Sequence, residues 1–327
     1  MEQNKSNETP SHPGTPETGL RANRVVGDAT GLRVMVTGAN AGIGFWTSLQ
    51  LAQRGAEVIM ACRNTGKAEM AAQAIRARVP GAKLRVIELD VACLNSVAEA
   101  VEELSGLTHL DVLIANAGMV HTPRTRQRSV DGLELVAATN YFGHFALVAG
   151  LLPALERAVA ARVVTLGSLS TLLVRPHLDD PQLLRSYSSW LAYAQSKIMV
   201  QSFAFELDRR LQRASSRIRA LCAHPGYSIS GRTPAVAGVN EPNTLKRVVD
   251  TLQAPFAQSK NHGARSIVRA ALDQGAFDAP GPVFYGPRGW TRGVPTTSKP
   301  ALITTDAEAA KTIWIAAESA TGISMLG

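Results

Sequence analysis

Two residues with complementary proton chemistry stand one helical turn apart in this sequence. Tyr193 and Lys197 are spaced i and i+4, which places both side chains on one face of a helix. A free phenol ionises only near pH ~10, and a neighbouring ammonium lowers its pKa toward neutrality. The pair therefore has the composition of a general acid or base. The alternative is that the pair lies on the surface and has no function. Tyr187 serves as a comparison, because the residue four positions after it is Leu191, which supplies no ammonium.

A glycine-rich turn lies far upstream of this pair. The apolar run Leu32–Thr37 leads directly into Gly38-Ala39-Asn40-Ala41-Gly42-Ile43-Gly44, where a helix is predicted to begin at Ile43. Glycines in such a turn allow a tight bend, close approach of backbone N–H groups to a pyrophosphate, and close helix–strand packing. The helix N-terminus adds a partial positive charge. The turn therefore predicts dinucleotide binding, with a plain strand–helix loop as the alternative.

The end of the second predicted strand bears on the choice of dinucleotide. It reads Ile59-Met60-Ala61-Cys62-Arg63-Asn64, and the next carboxylate is that of Glu69. An NAD site usually has an acidic residue here for the ribose 2′-hydroxyl, whereas an arginine accommodates the 2′-phosphate of NADP. The charge of Arg63 therefore favours NADP(H) over NAD(H). Alternatively, Arg63 only solvates a loop, and Lys67, one turn on, is either an assistant or a surface residue.

From Leu32 onward, short β-prone runs alternate with longer stretches of helical period. The predicted strands are Leu32–Thr37, Glu57–Ala61, Lys83–Glu88, Leu110–Ala115, Arg162–Gly167, Arg217–Ala223 and Pro282–Tyr285. The predicted helices are Ile43–Arg54, Lys67–Val79, Leu94–Ser105, Tyr141–Val159, Leu191–Arg213 and Gly263–Gln274. Continuous apolar strands joined by right-handed helical crossovers indicate a sheet that is covered on both faces. We therefore predict a doubly wound Rossmann-type α/β domain, with a parallel sheet of about seven strands and helices on both faces.

Three segments depart from this alternation. Residues 1–31 are polar and rich in proline and glycine, so we predict a disordered tail followed by a single domain over residues 32–327. Between Ser228 and Asn261 the alternation fails, and a mobile lid is predicted over about residues 228–261. The lid and the stretch Leu169–Trp190 are expected to shape the substrate pocket. The apolar residues of that stretch belong either to the pocket or to the core, and they are Leu172, Leu173, Val174, Leu183, Leu184 and Trp190.

The composition excludes several classes of protein. A chain of 327 residues with 45% hydrophobic and 18% charged residues is not disordered, collagenous or a coiled coil. The net charge of +8 permits attraction to phosphates without choosing among them. The basic runs Arg124–Arg128 and Arg209–Arg219 accompany no nucleic-acid-binding module and are interpreted as solvated faces. We expect no metal, because four separate histidines share no ligand spacing, namely His121, His144, His177 and His224.

The sequence contains no clear feature of a membrane-bound or secreted protein. The apolar run Phe145–Leu155 is shorter than the ~18 residues of a membrane span and contains Gly150 and Pro153. The first residues lack the basic-then-apolar order of a secretory signal. The three cysteines are too far apart in sequence for a disulfide framework. We expect a cytoplasmic protein with no membrane and no nucleic-acid partner.

Taken together, the motifs resemble those of the classical short-chain dehydrogenase/reductase family, from about Leu32 to Tyr285. They occur in family order: Thr37-Gly38-x-x-x-Gly42-x-Gly44, Asn116-Ala117-Gly118, Asn140, Ser168, Tyr193-x-x-x-Lys197 and His224-Pro225-Gly226. Within the family, the chain is similar to retinol-dehydrogenase-like and protochlorophyllide-reductase-like members. The segments that carry this likeness are Ala61-Cys62-Arg63-Asn64, Asn140-Tyr141-Phe142-Gly143-His144-Phe145 and Ala192-Tyr193-Ala194-Gln195-Ser196-Lys197. Those relatives often carry an apolar N-terminal anchor, whereas this sequence begins with polar residues.

The resemblance implies hydride transfer between a nicotinamide cofactor and a carbonyl or secondary alcohol. Tyr193 would exchange a proton with the substrate oxygen, and Lys197 would hold the nicotinamide ribose and lower the Tyr193 pKa. Ser168 would hydrogen-bond the developing alkoxide. Asn140 would position a water that links Lys197 to solvent. The alternatives are a strand-end cap for Ser168 and a buried amide, satisfied by the backbone, for Asn140.

The resemblance also implies a set of cofactor contacts. Asp90 would lie beside the adenine, unless it is only a turn residue, and Asn116 would steady the sheet near the cofactor. Ser230 stands where the family usually has threonine, and its hydroxyl would still reach the carboxamide. The expected cofactor-binding residues are Gly38, Asn40, Gly42, Ile43, Gly44, Arg63, Asp90, Val91, Asn116, Ala117, Gly118, Tyr193, Lys197, Pro225, Gly226 and Ser230.

Other functions remain open from the sequence. A dinucleotide-binding sensor or scaffold would keep the glycine turn, but such proteins commonly lose the tyrosine or the lysine. An epimerase or dehydratase of the extended branch would have a different glycine spacing. A light-driven double-bond reductase would be inactive in darkness. The expected partner is a small, apolar carbonyl or alcohol, and the resemblance implies a homodimer or homotetramer.

Overall fold

The computed structural model describes residues 27–326. Its strands, in chain order, are β1 (Arg33–Thr37), β2 (Glu57–Cys62), β3 (Leu84–Glu88), β4 (Val112–Ala115), β5 (Arg162–Leu166), β6 (Arg219–Ala223), β7 (Ser228–Ile229), β8 (Gln258–Ser259), β9 (Phe284–Pro287) and β10 (Pro295–Thr297). In this part of the chain the main sheet has eight strands in the order β3-β2-β1-β4-β5-β6-β9-β10. Seven of them are parallel and β10 pairs antiparallel with β9 at the edge. The predicted doubly wound Rossmann fold is confirmed.

Helices cover both faces of the sheet. They are α1 (Gly42–Ala52), α2 (Thr65–Arg76), α3 (Leu94–Glu103), α4 (Leu135–Ala137), α5 (Gly143–Glu156), α6 (Ser189–Arg213), α7 (Thr244–Leu252), α8 (Lys260–Leu272), α9 (Leu302–Thr305) and α10 (Ala307–Thr321). A π-helical turn, Ala138–Phe142, joins α4 to α5, and 3₁₀ turns occupy Leu169–Leu172 and Gln274–Ala276. Each predicted helix is present with its ends displaced by a few residues. The sequence did not predict the elements α4, α7, α9, α10, β7, β8 and β10.

Alternate residues of the strands feed two separate cores. On β1, Met35 packs with α3, α5, α6 and α10, whereas Val34 and Val36 pack with α1, α2 and α8. This alternation follows from the period of two in a strand. The helical run Leu135–Glu156 is long and apolar enough to cross a membrane, but 72% of its apolar 18-residue window is buried inside the protein. It therefore packs as a central helix of the larger core.

The folded domain starts before its predicted boundary at Leu32. Residues 1–26 of the predicted tail lie outside the described residues. Ala29, however, is fully buried, and its N–H donates to the carbonyl of Arg54 at 2.9 Å. Residues 27–31, which the sequence analysis assigned to the tail, thus include a segment held against the end of α1.

The predicted lid, residues 228–261, has its own hydrogen-bonded structure. Its first strand, β7, pairs in parallel with β8 near its end. Between them the N–H of Gly231 donates to the carboxylate of Asp250, and the amide of Asn240 donates to the carbonyls of Thr233 and Pro234. Buried polar residues therefore organise a segment that lacks the alternating pattern. That it moves as a lid stays a prediction.

Candidate active site

Because β1 to β6 are parallel, the predicted site residues that follow these strands meet at one edge of the sheet. Thr37 joins the ends of β1 and β4, since its Oγ1 accepts hydrogen bonds from the N–H groups of Asn116 (2.9 Å) and Ala117 (2.8 Å). The amide of Asn116 donates to the Thr37 carbonyl at 2.6 Å. Nε2 of His144 lies 2.9 Å from Thr37 Oγ1, and burial lowers the pKa of His144 to about 4. A neutral imidazole thus ties α5 to the strand ends.

The glycine turn needs its glycines at three places. Gly38 and Gly42 adopt φ values of +65° and +59°, where side chains are strained. A β-carbon on Gly38 would lie 3.0 Å from the α-carbon of Ala117. On Gly44 it would lie 2.3 Å from the carbonyl oxygen of Gly38. The turn is thus packed against itself and against the end of β4, as expected for a backbone that approaches a ligand.

The N-cap residue of α1, Ala41, makes no side-chain hydrogen bond to the first turn. Asn64, Ser188 and Ser259, by contrast, cap α2, α6 and α8 by accepting first-turn N–H bonds. The first N–H groups of a helix need acceptors from outside the helix. A diphosphate supplies such acceptors, and Asn40 and Ile43 stand in the same turn. The residues present therefore fit a dinucleotide cofactor.

Arg63 and Asp90 come together after β2 and β3. Nη1 of Arg63 lies 3.7 Å from Oδ2 of Asp90, and 77% of the Arg63 side chain is exposed. The other carboxylate oxygen of Asp90 accepts the N–H of Ala92, so Asp90 is also a turn residue. The side chain of Val91 is buried in the core, which leaves only its backbone for a cofactor.

Tyr193 meets Ser168 at the end of β5. The Tyr193 hydroxyl donates to Ser168 Oγ at 3.3 Å, and the N–H of Ser170 donates to the same oxygen at 3.1 Å. Ser168 thus also caps the following 3₁₀ turn, the alternative that the sequence left open. Burial raises the pKa of Tyr193, and the hydrogen bond with Ser168 lowers it in part. The phenol is therefore protonated at neutral pH.

Lys197 is buried one turn further along α6. Its ammonium donates to the carbonyl of Leu166 at 2.9 Å, and burial lowers its pKa to about 8. A β-carbon on Gly118 would lie 3.6 Å from its Nζ, so the glycine leaves room there. That Lys197 lowers the Tyr193 pKa stays a prediction, since the causes of the shift in this structure are burial and the hydrogen bond with Ser168. Burial of the phenol dominates, and the ammonium bonds to a strand carbonyl.

Asn140 lies in the π-helical turn, a feature common at functional sites. Its Oδ1 accepts the N–H of Met119 at 2.7 Å, and its Nδ2 donates to Ser196 Oγ at 2.8 Å. The amide therefore fixes the backbone after β4 against α6, beside Lys197. This matches the alternative of a buried, satisfied amide, and the role in positioning a water stays a prediction.

The segment after β6 closes the site from the other side. Gly226 has a φ of +62°, and the carbonyl of Pro225 accepts hydrogen bonds from Ser228 and Gln258, both at 2.8 Å. Ser230 follows β7 directly and is half-buried. The start of the predicted lid is thereby held at the carboxyl edge.

The structure adds Lys260, which belongs to none of the sequence motifs. It is the first residue of α8, and its Nζ lies 4.0 Å from the place of a β-carbon on Gly42. Lys260 is partly buried. Burial lowers its pKa, and the positive charge of Lys246 lowers it further. Within residues 27–326 it forms no ion pair at hydrogen-bonding distance. No local pattern links Lys260 to the glycine turn, because the two are distant in sequence.

A cavity of about 380 Å³ opens beside Ser168. Of the apolar residues predicted for the pocket, only Leu172 lines it, while Leu183 belongs to the core. Most of its wall comes from residues 284–301, which the sequence analysis did not connect with the site, and none from the predicted lid. β9 and β10 thus bring a later segment to the carboxyl edge, and the expectation that the lid and Leu169–Trp190 shape the substrate pocket stays a prediction.

Comparisons with known proteins agree with this geometry. The family model for short chain dehydrogenase matches residues 33–241. Retinol dehydrogenase 13 of Homo sapiens is 34% identical over 89% of this chain and 84% of its own length, and retinol dehydrogenase 11 of Mus musculus is 36% identical over 76% of each. The crystal structure of an uncharacterized protein from Mycobacterium Paratuberculosis has 36% identity and a TM-score of 0.72, covering 91% of this chain and 96% of that one. A short chain dehydrogenase from Shigella flexneri 2a, complexed with NADP, shares the fold at 20% identity and a TM-score of 0.60, over 80% of this chain and 98% of its own.

Proposed function

Because this chain belongs to the short-chain dehydrogenase family of oxidoreductases, we propose that it transfers a hydride between NADP(H) and a carbonyl or secondary alcohol. The observation that carries the proposal is the hydrogen bond from the Tyr193 hydroxyl to Ser168, since Ser168 lines a cavity at the carboxyl edge. The glycine turn opens at the same edge. The presence of both Tyr193 and Lys197 favours an enzyme over a sensor that lacks chemistry.

The protein's part in the reaction is proton transfer and orientation. When bound, the cofactor supplies or accepts the hydride at the substrate carbon. In reduction, the Tyr193 phenol gives its proton to the carbonyl oxygen as the hydride reaches the carbon, and an alcohol results. Burial keeps that phenol protonated, which suits donation. Ser168 hydrogen-bonds the same oxygen while negative charge develops on it.

Five features of the chain would hold the cofactor. The uncapped N-terminus of α1 and the ammonium of Lys260 would bind the diphosphate. Lys197 would hold the nicotinamide ribose, and Gly226 would let the backbone approach the carboxamide. The exposed guanidinium of Arg63, steadied by Asp90, would bind the 2′-phosphate, which is the basis for preferring NADP(H) over NAD(H).

The substrate class follows from the cavity and from the relatives. Leu172, Phe284 and Trp290 give the cavity an apolar wall. The named relatives are retinol dehydrogenases, so an apolar alcohol or its carbonyl form is the substrate class we propose. We also place the protein in the cytoplasm and in a homodimer or homotetramer, which fractionation and size-exclusion chromatography with light scattering would test.

The test of the proposed function is a nicotinamide assay. Purified protein with NADPH is given a panel of apolar aldehydes and ketones in darkness, and the loss of reduced-nicotinamide absorbance is followed. We expect consumption of NADPH with at least one class of carbonyl. No absorbance change across carbonyls, and none with NADP⁺ and the matching alcohols, would overturn the proposal. Activity that requires light would favour the double-bond reductase instead.

A further inference from the structure

The cavity beside Ser168 is positively charged. Arg288 and Lys299 line it, and none of the described residues that line it is acidic. His224 also lines the cavity, but burial lowers its pKa to about 4, so the ring adds no charge at neutral pH. Neither cation forms an ion pair with a carboxylate of residues 27–326. The cavity therefore presents two unneutralised positive charges.

The backbone that carries these cations is fixed by the sheet. Arg288 follows β9, and its N–H donates to the carbonyl of Val294 across the hairpin at 2.8 Å. Lys299 follows Ser298, whose N–H donates to the carbonyl of Phe284 at 2.8 Å. Arg292 in the same hairpin behaves differently, because its guanidinium donates to the carbonyl of Ala254. The hairpin thus uses one arginine for structure and leaves Arg288 and Lys299 at the cavity.

The same cavity exposes large apolar side chains. Trp290 is 66% exposed and Leu172 is 47% exposed, so both offer apolar surface that a ligand would cover. The rings of His224 and Phe284, with centroids 5.0 Å apart, add flat surface deeper in the wall. An apolar surface next to two cations is complementary to an amphipathic anion.

We infer that the substrate is a carbonyl or alcohol compound with an apolar body and a carboxylate, an oxo acid or its hydroxy form. The reacting oxygen would lie at Tyr193 and Ser168, the apolar body against Leu172 and Trp290, and the carboxylate at Arg288 and Lys299. Arginine binds carboxylates through two parallel hydrogen bonds, which fixes the end of the molecule remote from the reaction. This inference rests on the proposed function and narrows its apolar substrate class to compounds that also carry a carboxylate.

A matched pair of substrates tests it. The holoenzyme with NADPH is assayed with an aromatic oxo acid that carries its ketone away from the carboxylate, and with the methyl ester of that acid. We expect kcat/KM to be ~10-fold or more higher for the acid, and to fall with added salt for the acid only. The R288M/K299M double variant should raise KM for the acid by ~10-fold more than KM for the ester, which lowers the acid-to-ester ratio of kcat/KM. R292M is the control and should leave the acid-to-ester ratio as it is.

The outcomes separate this inference from the function on which it rests. Turnover of the ester at least as efficient as that of the acid overturns the anionic substrate class and leaves the oxidoreductase intact. An R288M/K299M variant that loses acid and ester activity equally also overturns it, because the cations would then be structural. A protein that consumes NADPH with neither compound and with no other carbonyl fails at the proposed function itself.

Discussion

The Tyr193 hydroxyl lies 3.3 Å from Ser168 Oγ, although the two residues arrive from different layers of the fold. Tyr193 stands in the first turns of α6, and Ser168 follows β5. The serine oxygen is held from the other side by the N–H of Ser170. A substrate oxygen placed at this pair therefore meets a proton donor and a fixed hydrogen-bonding group, and the position of neither depends on a flexible loop.

Replacement of the phenol tests the proton transfer. Tyr193→Phe keeps the ring and removes the proton, so we expect kcat to fall by ~10²–10⁴. Cofactor affinity, measured by quenching of protein fluorescence, should change little. Tyr187→Phe is the control, because the Tyr187 hydroxyl donates to the carbonyl of Pro123, away from the reacting pair. Retained turnover in Tyr193→Phe would remove this residue from the chemistry.

Arg63 and Lys260 should affect cofactor binding in different ways. Arg63→Asp replaces the proposed partner of the 2′-phosphate, so the Kd for NADPH should rise on the order of 100-fold while that for NADH changes little. Lys260→Met removes a charge beside the diphosphate that both cofactors share. The Lys260→Met substitution should weaken the binding of NADPH and of NADH by the same factor, about 10-fold.

Fluorescence titration of each variant with both cofactors measures the contrast, and Lys311→Met, at an exposed position of α10, is the control. Equal losses of NADPH and NADH affinity in Arg63→Asp would show that Arg63 does not distinguish them. Unchanged affinities in Lys260→Met would place its ammonium outside the diphosphate site.

The buried imidazole of His144 predicts acid sensitivity. Its pKa is about 4 in the folded protein and 6.5 ordinarily, so the unfolded chain binds the proton more tightly. The contribution of the neutral His144 imidazole to the free energy of unfolding is complete above pH 6.5 and is lost as the pH falls toward 4. It amounts to about 3 kcal/mol at most. Denaturant unfolding from pH 7 to 4 should show this loss, with a shallower slope in His144→Gln. Identical slopes in the wild type and in His144→Gln would contradict the assignment.

The close contact at Gly44 predicts intolerance of any side chain. Gly44→Ala would bring a β-carbon to 2.3 Å from a backbone oxygen, so the turn must shift. We expect a loss of ~1–3 kcal/mol in stability together with weaker cofactor binding. Gly66→Ala in α2 meets nothing closer than 3.5 Å and should stabilise the helix by up to ~1 kcal/mol. Thermal unfolding and cofactor titration measure both, and a Gly44→Ala protein with normal affinity would refute the argument.

The sequence by itself predicted the seven parallel strands of the main sheet, six of the helices and most of the residues at the carboxyl edge. Apolar runs and the i, i+4 spacing of Tyr193 and Lys197 report short-range geometry, and parallel pairing then brings the ends of the strands together. The structure of the lid segment, residues 228–261, could not be predicted in this way. Buried polar groups such as Asp250 organise it, and it has no hydrophobic periodicity.

Only the tertiary structure determines the burial, the hydrogen-bond partners and the charged neighbours of these residues. The pKa of Tyr193 moves upward because packing buries it, an effect that no spacing encodes. The partners of the Asn140 amide, the approach of Lys260 to Gly42, and the wall of the cavity from residues 284–301 all join segments that are far apart in the chain. Periodicity in the sequence indicates which face of a helix or strand is apolar. The burial of a side chain, the charges near it and the groups that it contacts depend on which distant element packs against that face.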